Sequence, residues 1–198
     1  MAKYNIHMVK TYFIPEGPWS VGTGFVSYRN LMELFEVTEV FDIRNADLLL
    51  LPGGADIGVN SERDEYEIEC LIYAREVGMQ VFGICRGMQL MLHTEGIPLI
   101  EHLPDETALL EHRTITGNWK GQSGWHRTNL GLLVNTRHHQ GFLEAPGWEV
   151  LDRSADGVIE MVYRGKELGV QWHPEHIEMR ETLALRWLEY ELINRNIL

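Results

Sequence analysis

Two short stretches of this 198-residue chain hold residue types that can do covalent chemistry. The first is Gly83-Ile84-Cys85-Arg86-Gly87. A strand that turns sharply into a helix exposes the residue at the bend, and small neighbours let the bend close, so the pattern G-x-C-x-G has the form of a nucleophile elbow with sulfur as the nucleophile. A thiolate attacks where a thiol does not. A helix N-terminus and a nearby imidazolium both favour it, and the same bend aims backbone N–H groups at a developing oxyanion. A lone Cys is usually a small buried hydrophobe, so the motif needs a partner.

The partner is in Gly169-Val170-Gln171-Trp172-His173-Pro174-Glu175. His173 can act as a base and Glu175 can orient it. Both stand where an apolar run ends, and parallel-sheet enzymes gather their sites at the carboxyl ends of strands. A third run, Asp47 to Leu51, ends in the turn signal Pro52-Gly53-Gly54. Three strand ends bearing these residues make a chance coincidence improbable. The competing chemistry is a metal site built from His138, His139, His173 and His176. Its spacing is poor: adjacent His138 and His139 would point apart on a strand, and neither Cys-x-x-Cys nor His-Glu-x-x-His occurs. No metal and no cofactor are expected.

The elements that must position these residues follow from the apolar patterning. Asp47 to Leu51 reads as a buried strand. Ser61, with Asp64 three residues on, marks a helix start, with Ile68, Leu71, Ile72 and Ala74 as its apolar stripe and Gly78 as its end. Val81 to Ile84 is a second buried strand, and Met88 to Leu92 a second helix reaching Gly96. Strand and helix in alternation imply parallel strands joined by right-handed crossovers. Val158 to Tyr163 and Leu168 to Trp172, around Arg164 to Glu167, form an antiparallel hairpin that delivers His173. Leu183, Leu185, Trp187, Leu188 and Leu192 give the last stretch a helical apolar face, and Leu31 to Phe35 reads as part of a first helix. Residues 98–131 are polar and Gly-punctuated and read as loops or short strands. The expected fold is α/β, a single domain over 1–198.

Composition narrows the function classes. There are 29 acidic against 17 basic residues, a formal charge of −12, and no Lys/Arg cluster, which argues against a grip on nucleic acid or anionic lipid. The longest apolar run, Leu48 to Leu51, is far below the roughly 20 residues that span a bilayer. The N-terminal stretch has no apolar signal core, so a reducing cytoplasm and two free thiols are expected.

Three motifs, LPGGAD (Leu51 to Asp56), GICRGMQ (Gly83 to Gln89) and GVQWHPE (Gly169 to Glu175), in that order, resemble the class I glutamine amidotransferase-like superfamily. Finer features are similar to the branch containing gamma-glutamyl-gamma-aminobutyrate hydrolase and related gamma-glutamyl hydrolases. These are Arg86, where synthetase-associated members usually carry Leu or Tyr, Trp172 where they have Phe, Arg63-Asp64 with Glu67, 134–140 and 155–160. The resemblance implies a flavodoxin-like, mostly parallel sheet with helices on both faces. It implies a Cys85, His173, Glu175 triad, an oxyanion hole from Gly54 and the N–H of Arg86, with Gly53 as a lesser candidate, and substrate contacts from Gln89, His138 and Gln140. The implied reaction is hydrolysis of a gamma-glutamyl amide through a thioester.

The alternative is a glutaminase subunit supplying ammonia to a separate synthetase or amidoligase. A non-catalytic binding module with this fold is opposed by the intact Cys, His and Glu set. Departures cluster on the leaving-group side: Asp56 to Asn60 passes almost directly to Ser61, and Thr94-Glu95-Gly96 replaces a usual Gly-Gly. Cys70 reads as a packed thiol, Arg63 and Asp64 as a helix-start charge pair without a catalytic role, and Trp119, Trp125, His112 and His126 as cover for the sheet.

Overall fold

The computed structural model describes residues 9–13, 24–103, 124–176 and 179–198. In chain order its elements are β1 (Lys10–Phe13), α1 (Gly24–Leu34), β2 (Thr38–Val40), β3 (Leu48–Leu51), α2 (Ser61–Val77), β4 (Gln80–Ile84), α3 (Arg86–His93), β5 (Gly124–Arg127), β6 (Leu133–Thr136), β7 (Glu149–Arg153), β8 (Ile159–Arg164), β9 (Glu167–Val170) and α4 (Leu183–Asn194). Seven strands form one sheet in the order β2-β1-β3-β4-β9-β8-β7. The first five run parallel, and β8 and β7 extend the sheet antiparallel. Strands β5 and β6 form a separate antiparallel pair. Trp119 and His112 lie outside the described residues.

Strand β3 explains why the centre of the sheet reads as an unbroken apolar run. Alternate residues of a strand face opposite sides. Leu48 and Leu50 pack with Tyr28, Leu31 and Met32 of α1 and Leu185, Leu188 and Leu192 of α4. Leu49 and Leu51 pack on the other face with Cys70, Leu71 and Ala74 of α2 and Met88, Met91 and Leu92 of α3. A strand covered on both faces has no polar side. Cys70 is therefore a packed thiol, and burial pushes its pKa up to about 11. No described helix is long and apolar enough to cross a membrane.

Helix α2 begins at Ser61, as expected, and departs from the sequence expectation in its capping residue and on part of its buried face. The N-cap is Asn60, not Ser61: its side-chain oxygen accepts the Arg63 N–H at 3.1 Å, the usual role of an Asx cap. Gly78 ends the helix in a left-handed conformation, as expected. The buried face consists of Arg63, Asp64, Glu67, Cys70, Leu71 and Ala74, while Ile72 and Val77 are exposed. Leu71 and Ala74 of the expected stripe do face inward, but half of the buried face is charged, so apolar spacing located only part of it.

The site is fixed by three neighbouring strands. Leu51 is in register with Gly83, and Ile84 with Val170. The residues that follow β3, β4 and β9 therefore emerge side by side at one end of the sheet, with strands about 4.8 Å apart.

Candidate active site

Cys85 sits at the bend between β4 and α3 with φ 52° and ψ −108°. Such backbone costs on the order of 1–3 kcal/mol for a non-glycine residue and persists only where the surroundings impose it. They do so here through close packing. A Cβ on Gly87 would lie 2.1 Å from the Leu51 carbonyl oxygen, and one on Gly83 would lie 2.3 Å from Met91 Sδ. The Cys85 N–H is bonded to the Val170 carbonyl at 2.7 Å, tying the bend to β9.

His173 arrives two residues beyond the buried Gln171, and its main chain is clamped. Asn135 of β6 donates from its side chain to the His173 carbonyl at 2.9 Å and accepts the His173 N–H at 2.8 Å. The His173 Nδ1–H donates to Glu175 Oε1 at 2.6 Å, and Cys85 and the same imidazole both border Gly53. Gly53 is wedged against both partners: a Cβ there would be 2.8 Å from His173 Cε1 and 3.5 Å from Cys85 Cβ. The structure thus brings Cys85, His173 and Glu175 together, all buried.

The electrostatics suit a proton carrier between a sulfur and a carboxylate. Burial alone would lower the pKa of His173, but the Glu175 charge and the Cys85 sulfur outweigh it and push it up to about 10. Burial alone would raise the Glu175 pKa, and His173 outweighs that and holds it below the ordinary carboxylate value. Tyr28 of α1 stays a phenol, because burial and then the Glu175 charge raise its pKa well above 10.

Tyr28 also corrects one expectation. Its hydroxyl accepts the Gly53 N–H at 2.8 Å, so that N–H is already spent and Gly53 is not an oxyanion donor. Arg86 is the first residue of α3, where backbone N–H groups have no intrahelical acceptor. Its side chain lies in a buried charge cluster. The guanidinium donates to Glu67 and to Asp64, Arg63 Nε donates to Glu67 Oε1 at 2.7 Å and Arg63 NH2 to the Gly53 carbonyl at 3.0 Å. Asp64 also accepts the Gly58 N–H at 2.7 Å. Arg63 and Asp64 are not a solvated helix-start pair. They are part of a four-residue assembly beside the Gly53-Gly54 turn.

A chain of amides leads from the sulfur toward the expected substrate residues. Gln171 Nε2 donates to Cys85 Sγ at 3.6 Å. Gln89 Nε2 lies 3.2 Å from Gln171 Oε1 and 3.3 Å from the Gln140 carbonyl. His138 Nδ1 is 2.9 Å from that same carbonyl. His139 turns elsewhere, with Nε2 3.0 Å from Asp56 and Nδ1 3.0 Å from the Glu101 carbonyl. Of the four histidines weighed as metal ligands, His173 and His176 lie near Glu175, with ligand atoms within 4.8 Å of one another. His138 and His139 point to other partners. His126 is buried 3.1 Å from Glu160, and Trp125 packs against the core.

Sequence reading did not assign Tyr28, Asn135, Gln171 or the α2 charges to the site. For Asn135 and Gln171 the signal is a polar amide inside an otherwise apolar strand end. Tyr28 gives no local signal, because its partners lie in distant segments.

This architecture is that of the glutamine amidotransferases: a glutamine amidotransferase from Thermotoga maritima superposes with a TM-score of 0.63 over 97% of this chain and 87% of that one, at 17% identity, a likeness of fold. Residues 43–175 match the family model Peptidase C26, and the chain belongs to that family. Among its relatives, anthranilate synthase component 2 of Archaeoglobus fulgidus is 30% identical over 156 residues, 75% of this chain and 82% of the relative. Gamma-glutamyl-gamma-aminobutyrate hydrolase of Escherichia coli O157:H7 is 30% identical over 142 residues, 62% of this chain and 56% of the relative. The chain therefore matches little more than half the length of that hydrolase.

Proposed function

We propose that the protein hydrolyses gamma-glutamyl amides. Cys85 Sγ attacks the γ-carbonyl carbon, the carbon–nitrogen bond breaks, and the imidazolium of His173 gives its proton to the leaving amine. Water, deprotonated by the same imidazole, then cleaves the γ-glutamyl thioester and releases glutamate. Glu175 holds the Nδ1–H tautomer and balances the imidazolium charge. The N–H groups of Gly54 and Arg86 bind the oxyanion, each such donor being worth about 3–4 kcal/mol in the transition state. Gln140 and His138 contact the glutamyl group, and Gln89 braces them through the Gln140 carbonyl.

The observation that supports this reading most strongly is His173 bonded to Glu175 at 2.6 Å, with His173 and Cys85 both packed against Gly53. Membership in the Peptidase C26 family supports the reaction class, and the similarity to the gamma-glutamyl-gamma-aminobutyrate hydrolase supports the γ-glutamyl substrate. A second reading keeps the chemistry and changes its use: a glutaminase subunit that passes ammonia to a synthetase chain. The likeness to anthranilate synthase component 2 favours it.

A panel of glutamine, γ-glutamyl amines and poly-γ-glutamyl peptides, assayed for released glutamate with the wild type and Cys85→Ala, tests the proposal. Solitary turnover of γ-glutamyl amines that vanishes in Cys85→Ala is the expected result. Turnover restricted to glutamine and rising sharply with an added synthetase would favour the second reading. Unchanged turnover in Cys85→Ala would overturn both.

A further inference from the structure

We propose that Arg63 is a positioning residue that orients the Gly54 oxyanion donor, and that Glu67 couples it to the second donor at Arg86. The inference rests on the oxyanion hole assigned above, and it concerns side chains that do not touch the reacting atoms.

A trans peptide is planar, and its C=O and N–H point to opposite sides. Arg63 NH2 donates to the Gly53 carbonyl at 3.0 Å. A bond that pulls this carbonyl toward α2 turns the N–H of the same peptide, which belongs to Gly54, the other way. Gly53 itself is packed against Cys85 and His173, so the peptide that Arg63 grips lies beside the sulfur. The guanidinium also lies flat on the turn: a Cβ on Gly54 would come within 2.0 Å of Arg63 NH1 and 2.9 Å of its Cζ. A side chain at Gly54 would meet the Arg63 guanidinium and displace it.

Glu67 is the shared element. Its Oε1 takes Arg63 Nε, and its Oε2 takes the Arg86 guanidinium, whose own backbone N–H is the second donor. Asp64 binds Arg86 with one oxygen and the Gly58 N–H with the other, closing the loop after the turn. The four charges sum to zero. The Gly53 carbonyl and the Arg86 guanidinium are thus tied into one side-chain network.

Two reactions of the same sulfur separate positioning from scaffolding. Acylation by glutamine or γ-glutamyl-p-nitroanilide develops an oxyanion, whereas alkylation by iodoacetamide does not. Arg63→Met combined with Glu67→Gln removes the grip and leaves Arg86 paired with Asp64, so no buried charge is orphaned. The double variant should acylate about 10²–10³-fold more slowly, with KM changed less than kcat and with iodoacetamide alkylating Cys85 at the wild-type rate. Arg63→Lys keeps the charge with a single-pronged grip and should recover part of the loss. The proposal is overturned if acylation and alkylation fall together, if neither falls, or if, in a double variant that does not fold, Arg63→Lys retains full acylation. Wild type that iodoacetamide alkylates but no γ-glutamyl compound acylates would instead refute the underlying oxyanion reading.

Discussion

Two buried polar assemblies lie side by side at the end of the sheet, and they are built for opposite purposes. The triad holds groups whose charge can change: His173 is pushed up to about 10 and Glu175 is held down. The cluster of Arg63, Asp64, Glu67 and Arg86 pairs two guanidinium groups with two carboxylates. The triad is anchored through the main chain, by Asn135 on His173 and by Val170 on Cys85. The cluster is joined mainly through side chains and reaches the site at the Gly53 carbonyl. In the proposed mechanism one assembly moves protons and the other positions the turn beside it.

The sharpest way to break this comparison is at the nucleophile. Cys85→Ser should lower kcat by about 10⁴-fold or more while leaving the thermal melt near wild type, because a triad member is needed for chemistry and not for the sheet. Steady-state kinetics beside a melting curve checks both halves. Glu175→Gln comes next, with kcat falling on the order of 10²–10⁴-fold. Its pH profile is the finer test. The His173 imidazolium exists below its pKa and is lost as pH rises through it, so the wild-type alkaline limb should lie near 10. Burial lowers this pKa and Glu175 and Cys85 oppose it, so removing the carboxylate should move the limb to lower pH.

The cluster should respond in stability. Glu67→Ala leaves the buried Arg63 without a carboxylate partner and Arg86 with Asp64 alone, and should cost about 3–5 kcal/mol by urea titration. Arg44→Ala, which removes the exposed pair with Asp42, should leave the transition midpoint unchanged. Asn135→Ala falls between these two: it removes both bonds to the His173 main chain and should destabilise by about 2 kcal/mol, with a loss in kcat larger than any change in KM.

The same contrast explains what the sequence makes legible. Gly83, Cys85 and Gly87 sit next to one another because a tight bend requires it, so their spacing survives in the chain. His173 is announced by the apolar strand that ends before it. Both rest on local rules of sterics and burial. The face of α2 obeys neither, since Arg63, Asp64 and Glu67 point inward while Ile72 and Val77 meet solvent. Charge at a helix start normally marks a solvated face, and only knowledge that Arg86 lies opposite would reverse that reading. Asn135 and Tyr28 are hidden for a similar reason: each acts on a backbone atom of a remote segment, His173 and Gly53. The first helix and strands β1 and β2 were faint because their apolar runs are short.

The central claim is a covalent bond between Cys85 and a glutamyl group. Acid-quenched turnover of γ-glutamyl-p-nitroanilide, followed by proteolysis and mass spectrometry of the peptide bearing Cys85, tests it directly. The account predicts a mass increase of one glutamyl residue on Cys85, removable by hydroxylamine and missing in Cys85→Ser. Full turnover by protein whose Cys85 has been quantitatively alkylated, with no adduct on that peptide, would contradict it.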